Sequence, residues 1–235
     1  MEINRYEIKA GLSSRLRAAV VADLHSAEHG GLLEKLREIS PDIILCPGDT
    51  LHRASPDESG LVFLREAARL CPVFCSIGNH EVKHGEDIRE NIRDTGAILL
   101  DNEYVGFHGI TVGGLSSGYT VESSQGRLKR TPPPNLSALD GFFASGGFKI
   151  LLSHHPEYYP RYLKDKSVDL IISGHAHGGQ WRVLGRGIFA PGQGLFPKYT
   201  SGLYDGKLLV SRGLSNHTHT PRIFNKPELI IIDLK

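Results

Sequence analysis

The segment Leu170-Ile171-Ile172-Ser173-Gly174-His175-Ala176-His177-Gly178-Gly179-Gln180-Trp181 decides the fold. A short apolar run stops abruptly at two imidazoles set one residue apart among glycines. A run of this length, bounded by Gly, reads as a strand buried on both faces. Two residues apart along an extended segment, His175 and His177 point the same way. Imidazoles pack poorly and leave ring nitrogens in need of partners. A metal ion answers that need, provided the rest of the chain supplies the missing ligands.

The same arrangement recurs along the chain. Residues 16–22 (LRAAVVA) read as a strand and run into Asp23-Leu24-His25; residues 42–46 (DIILC) run into Pro47-Gly48-Asp49. Residues 73–77 run into Gly78-Asn79-His80-Glu81, and 148–153 into His154-His155-Pro156. Between them, 31–39 carries Leu32, Leu33, Leu36 and Ile39 at helical spacing. Residues 56–70 read as a helix with Ser55 as N-cap and Pro56 in its first turn, and 84–95 as a polar helix. Apolar strands alternating with helices predict an α/β fold built on a parallel sheet. From about residue 183 the pattern becomes β-rich, with Asp205-Gly206 as a hairpin signal and 227–234 (PELIIIDL) as a closing strand. No repeat or linker divides the chain, so 1–235 is expected to form a single domain.

The bulk composition sets limits. The chain has 235 residues, enough to bury a full core without staples, and its formal net charge of +1 gives no general argument for nucleic acid or an acidic membrane surface. Three Cys (Cys46, Cys71 and Cys75) make no complete disulfide framework; they read as small buried thiols in a reducing compartment. MEINRYEIKAG lacks the apolar core of a signal peptide, and no run approaches the length of a membrane span, so a cytoplasmic location is expected, with peripheral membrane contact at most. Residues 116–135 (SSGYTVESSQGRLKRTPPPN), with Arg127, Lys129 and Arg130, form a long loop, either a solvated insertion or a substrate lid.

In an open parallel sheet the strand C-termini converge on one rim, where ligands bind. That rim gathers Asp23, His25, Asp49, Asn79, one of His154 and His155, His175 and His177. So many mixed N and O donors exceed one tetrahedral ion. They suit two ions with a shared carboxylate, of the kind that sit roughly 3.5–4 Å apart and hold both oxygens of a phosphoryl transfer. Mn, Fe and Zn all tolerate imidazole with carboxylate.

In this order, at successive strand ends, the motifs resemble those of the calcineurin-like metallophosphoesterase superfamily: Asp-x-His, Gly-Asp-x-x-Asp, Gly-Asn-His-Asp/Glu, His, and Gly-His-x-His. The match spans about residues 17–182. The extension Gly-His-x-His-Gly-Gly-Gln, with the later Gly-Leu-Tyr, Ser-Arg-Gly-Leu and Pro-Arg-Ile-Phe, resembles a bacterial branch, many of whose members are membrane-associated. The resemblance implies a four-layer αββα sandwich with a dinuclear site on one rim. It implies Asp23, His25 and His177 as ligands of a first metal, Asn79, His154 and His175 of a second, and Asp49 as the bridge. His154 is preferred to His155, which takes a supporting role. His80 matches the His that binds no metal and faces the phosphate. The second block departs from the pattern: three residues after Asp49 stands His52, where the family often has an Asp that orients the catalytic His. Glu81 could replace that Asp, or His52 could meet substrate.

The activity expected is hydrolysis of phosphate mono- or diesters, small or linked to lipid or nucleotide, by a hydroxide generated between the metals, with His80 stabilising the transition state or protonating the leaving oxygen. Arg53 and Trp181 are candidate substrate contacts, each with a bland alternative: a surface ion pair for Arg53, a core position for Trp181. His217 and His219 read as exposed loop residues. The rival readings are a nuclease acting on short nucleic acid and a metal-free protein-interaction scaffold. A small-molecule phosphoester is the expected partner; the oligomeric state leaves no trace in the sequence.

Overall fold

Nearly every apolar run of the sequence becomes a strand whose two faces enter different cores. In the computed structural model, which describes residues 1–52, 58–121, 131–216 and 220–235, the strands are β1 (Glu2–Ile8), β2 (Leu16–Val20), β3 (Ile43–Cys46), β4 (Val73–Cys75), β5 (Ile98–Leu99), β6 (Glu103–Phe107), β7 (Ile110–Leu115), β8 (Phe148–Ser153) and β9 (Leu170–Ser173). They are followed by two small hairpins, β10 (Arg182–Val183) with β11 (Arg186–Gly187) and β12 (Phe189–Ala190) with β13 (Gly194–Leu195), then by β14 (Gly202–Tyr204), β15 (Leu208–Val210) and β16 (Glu228–Leu234). Two six-stranded sheets result, in the orders β1-β16-β2-β3-β4-β5 and β14-β15-β9-β8-β7-β6.

Alternation along the strands explains the layers. Ala18 and Val20 of β2, with Ile43 and Leu45 of β3, face the second sheet and meet Val112, Ile150, Leu152 and Ile172. Ala19, Ile44 and Cys46 face the other way, onto the helices α1 (Gly30–Ile39), α2 (Ser59–Ala68) and α3 (Asp87–Arg93). The outer face of the second sheet is covered by Phe142 of the short helix Asp140–Ala144 and by Tyr159 and Leu163 of the π-turn Tyr159–Leu163. The order helices, sheet, sheet, helices is a four-layer αββα sandwich. Helix α1 buries Leu32, Leu33, Leu36 and Ile39 along one stripe and ends at Ser40, whose left-handed conformation (φ 49°) lets its N–H reach Leu36 O.

The parallel-sheet expectation holds for β2-β3-β4-β5, for β7-β8-β9 with β15 and for β1 with β16, and fails at both edges of the second sheet and inside the first, between β16 and β2. Strands β6 and β7 are antiparallel because His108-Gly109 (φ 43° and 85°) closes a two-residue turn; β14 and β15 are joined by the three residues Asp205-Gly206-Lys207, the first two with φ 53° and 65°. Strand β16 lies between β1 and β2, antiparallel to β2. Cys46 and Cys75 are buried neighbours on β3 and β4, and Cys71 is half-buried; all three are free thiols. Among the described residues, no helix is long and apolar enough to cross a membrane. The expectations placed on Arg53, Ser55, Pro56, Arg127, Lys129, Arg130, His217 and His219 lie outside the described residues.

The described ends of the 116–135 loop are not simply solvated. Ser117 is buried, its N–H donates to Ile77 O (2.9 Å), and its hydroxyl lies 2.8 Å from His155 Nε2. The Gly118 N–H donates to the Tyr158 hydroxyl (3.0 Å).

Candidate metal centre

Each strand that carries a candidate ligand stops at the same rim, and the backbone turns sharply there. Asp23, His25, Asp49, His175 and His177 all take positive φ, between 45° and 63°. This region is costly for residues other than glycine, and such conformations persist only when the surroundings over-determine them. The surroundings here do so. The His25 N–H donates to Asp49 O (3.0 Å), and the His175 N–H to both carboxylate oxygens of Asp23 (3.0 and 3.1 Å). The Gly174 N–H donates to His154 O (3.1 Å), tying β9's end to β8's. The glycines of the motifs are required by close approach. A Cβ on Gly174 would lie 2.7 Å from Asp23 Oδ2, and one on Gly78 would collide with Asp49.

The side chains assemble into adjoining groups, two of which are joined by a third made of His25, Asp49 and His80. Ligand atoms of Asp23, His25 and His177 lie within 4.8 Å of one another, as do those of Asp49, His154 and His175, and all six residues are buried. Asp49 Oδ2 stands between the groups, 3.1 Å from His154 Nε2 and 3.9 Å from His25 Nε2. His25 Nε2 and His177 Nε2 are 3.3 Å apart. Two nitrogens bound at about 2.05 Å to one tetrahedral ion would stand about 3.3 Å apart. Asn79 Oδ1 is a buried acceptor with no hydrogen-bond partner, although such atoms are nearly always satisfied. The donor set therefore fits divalent cations. It mixes imidazole, carboxylate and amide oxygen, with no thiolate.

The electrostatics follow from these distances. Burial pushes the Asp23 carboxyl up to about 6. Burial also acts on Asp49, but the imidazoles of His154, His80 and His25 outweigh it and hold this carboxyl well below the usual range. For His154, burial favours the neutral ring, yet Asp49, then Asp23 and Glu81, override it and raise the imidazole to about 9. His155 is driven well below the ordinary imidazole value by burial and by its neighbours His175 and His154.

A pH dependence follows for the chelator-treated protein. His154 holds its proton more tightly folded than unfolded, so its contribution to stability is complete below about pH 6.5 and is lost as pH rises towards 9. Between pH 6.5 and 8 the unfolding free energy should fall by about 2 kcal/mol, and Asp49→Asn should flatten that slope. Urea unfolding at the two pH values measures it; equal slopes in both proteins would rule out the pair as its source.

His80 is buried beside the second group. Its N–H donates to Asp49 Oδ1 (2.9 Å), and its ring Nδ1 is 3.1 Å from His25 Nδ1. His52 is half-buried, its ring centroid 5.4 Å from that of His80 and 6.0 Å from that of His25. The suggestion that Glu81 replaces the absent Asp as partner of the His80 ring is corrected. Both Glu81 oxygens are taken by backbone: Oε2 accepts from Asp49 N and Gly78 N, and Oε1 from Leu51 N, each at 2.9 Å. Glu81 clamps the turns after β3 and β4 together. Burial and Asp49 push its carboxyl up to about 7 despite those donors.

Trp181 is not in the core: it is 44% exposed and, with His177, lines a cavity of about 330 Å3. Two further residues, Arg222 and Asn225, hold the site without a signal in the motifs, and His155 takes the supporting place expected of it. Arg222 Nη2 lies 3.2 Å from His177 Nδ1. Asn225 Nδ2 donates to His177 O (2.7 Å) and Gln180 O (3.1 Å), stapling the turn. His155 stacks edge-on against His175, with ring centroids 4.3 Å apart, and is itself backed by Ser117.

Comparison with known proteins gives this rim a context. An uncharacterized metallophosphoesterase of Campylobacter jejuni is 27% identical over 95% of this chain and 60% of its own length. One from Helicobacter pylori strain J99 is 27% identical over 72% of this chain and 46% of its own. The phosphodiesterase YaeI of Escherichia coli is 27% identical over 84% of this chain and 72% of its own. The chain thus spans about half to three quarters of the length of these relatives. The family model of the calcineurin-like phosphoesterases matches residues 16–179, from the first strand that bears ligands to the turn after His177, and the chain belongs to that family.

Proposed function

We propose that the chain hydrolyses phosphate mono- or diesters at a pair of divalent cations. Asp23, His25 and His177 hold one, Asn79, His154 and His175 hold the other, and Asp49 is shared. The observation that carries this reading is the placement of Asp49 Oδ2 within 3.1–3.9 Å of imidazole nitrogens from both groups. When bound, such cations neutralise phosphate oxygens and acidify water at neutral pH. The name of the Escherichia coli relative favours diesters among the substrates.

The residues of the chain define the proton path. If His25 ligates through Nε2, its remaining proton is on Nδ1, and that N–H donates to His80 Nδ1, 3.1 Å away. His80 is then a neutral imidazole with its proton on Nε2, the nitrogen that lies 3.9 Å from Asp49 Oδ2. It presents an N–H to the leaving oxygen. On this reading His80 acts as a neutral imidazole, and His25 takes the orienting task of the absent Asp.

The test is a chromogenic phosphodiester assay with manganese, together with metal analysis. The protein should lose activity on chelation and regain it with the ion. His80→Ala should lower kcat by about 100- to 1,000-fold with metal content unchanged. Hydrolysis that survives full chelation would overturn the reading; loss of metal in the variant would reassign His80 as a ligand.

A further inference from the structure

Most of the exposed large apolar side chains, among the described residues, fall in one lobe beside the site. The lobe consists of residues 181–198, which contain the hairpins β10–β11 and β12–β13, with the segment 220–226. It is stitched together by backbone bonds from Arg182 N to Ile223 O (3.0 Å), from Ile188 N to Trp181 O (2.9 Å) and from Phe196 N to Ile188 O (2.8 Å). Its most exposed apolar residues are Leu184 (98%), Phe224 (87%) and Phe196 (76%). All three also have positive φ, of 48°, 52° and 50°. Leu184-Gly185 closes the β10–β11 hairpin at a turn position where Asn or Asp is the ordinary choice. A leucine there is strained and fully wetted, so neither local conformation nor packing accounts for it.

The charge on the lobe has one sign. Between Asp169 and Glu228 the only acidic residue is Asp205, outside the lobe, whereas Arg186 and Lys198 are exposed on it; Arg182 turns inward to Gly178 O and Thr200 Oγ1, and Lys226 stands 3.8 Å from Glu2 at its margin. Apolar tips with a cationic surround complement an anionic headgroup layer, where the tips enter the acyl boundary and the cations stay among the phosphates. A second copy of the chain would bring the same positive charge to the same face. The lobe also continues into the site: the cavity of about 330 Å3 runs from His177 to Ile188, Phe189 and Pro191.

We propose that this lobe docks the chain on an anionic phospholipid surface, with the metal rim beside the lipid, so that the substrates are membrane-resident phosphoesters whose apolar portion lies in the cavity next to His177. The substrate class rests on the hydrolase reading above; the docking does not.

The test is flotation of the full chain with vesicles of phosphatidylcholine alone and of phosphatidylcholine and phosphatidylglycerol in equal parts. Partitioning should be about tenfold or more stronger to the mixed vesicles. The triple variant Leu184→Ser, Phe196→Ser, Phe224→Ser should bind them at least about tenfold less. A second variant, Arg186→Glu with Lys198→Glu, should lose the preference for phosphatidylglycerol. Both variants should keep activity on the soluble chromogenic diester. Failure of the unaltered chain to float, or equal binding by the triple variant, overturns the proposal. So does a concentration-dependent dimer that the triple variant abolishes in the absence of vesicle binding. An inactive chain that still floats would sink the hydrolase reading and leave the docking intact.

Discussion

Asp49→Ala is expected to lose both cations together and to lower kcat/KM by at least about a thousandfold, the rate equivalent of several kcal/mol of lost charge stabilisation. Its carboxylate approaches imidazoles of both clusters, at 3.1 Å from His154 and 3.9 Å from His25, and the residue also carries the rim: its backbone O accepts from His25 N, and its side-chain Oδ1 accepts from His80 N. Loss of one ligand from one ion would leave the other in place; loss of the shared one removes a ligand from each. Metal analysis and kinetics on the purified variant decide the matter. A variant that retains two equivalents of metal, or full activity, would show that Asp49 is not shared. Asp49→Asn keeps one oxygen and the shape, so it should fall between alanine and the unaltered chain in metal retention.

Glu81→Ala should lower the unfolding free energy by about 3–6 kcal/mol in the presence of chelator. The substitution leaves the N–H groups of Asp49, Leu51 and Gly78 without their acceptor, and each unmet buried donor costs about 1–3 kcal/mol. Glu81→Gln retains a single acceptor oxygen and should recover only part of that loss. Urea unfolding with chelator separates this effect from lost metal binding. An unchanged midpoint would mean that water reaches those groups and that the clamp is dispensable. Because Glu81 ties the turn that bears Asp49 to the turn that bears Asn79, loosened metal binding should accompany the lost stability.

Most of the scaffold could be read from the chain because its signals are local. Runs such as 42–46 are too short and too apolar for anything but a doubly buried strand, and the ligand-type residue after each run marks the rim. The strands at 2–8 and 98–115 carry weaker local signals. Glu2–Ile8 alternates charged and apolar residues as an edge strand should, but its partner is β16, more than two hundred residues away, so nothing nearby announces the pairing. The mixed character of the first sheet has the same origin, since β16 runs antiparallel to the distant β2, whereas in the second sheet the edge directions are set by local turns such as His108-Gly109 and not by composition. Within the site, residue types betray the metal cage but not its supports. The sequence Gly78-Asn79-His80-Glu81 places Glu81 beside a candidate catalytic His, yet its carboxylate turns to the backbone of another strand end. Trp181 reads more readily as core than as pocket wall, because aromatic character alone does not say which side of a turn faces solvent.

The position of β16 bears on how the protein comes to be assembled during translation. This strand is wedged between β1 and β2, with Leu234 opposite Leu16 and Ile230 opposite Val20. The sheet that presents Asp23 and His25 therefore stays split until Glu228–Leu234 has cleared the ribosome, however early β2, β3 and β4 find one another. Such distant pairings make for slow closure and expose unfilled strand edges in the interval. The nascent chain must carry Asp23 and Asp49 until Glu228–Leu234 has been made before their cage has a floor, which places cation uptake after the synthesis of that strand.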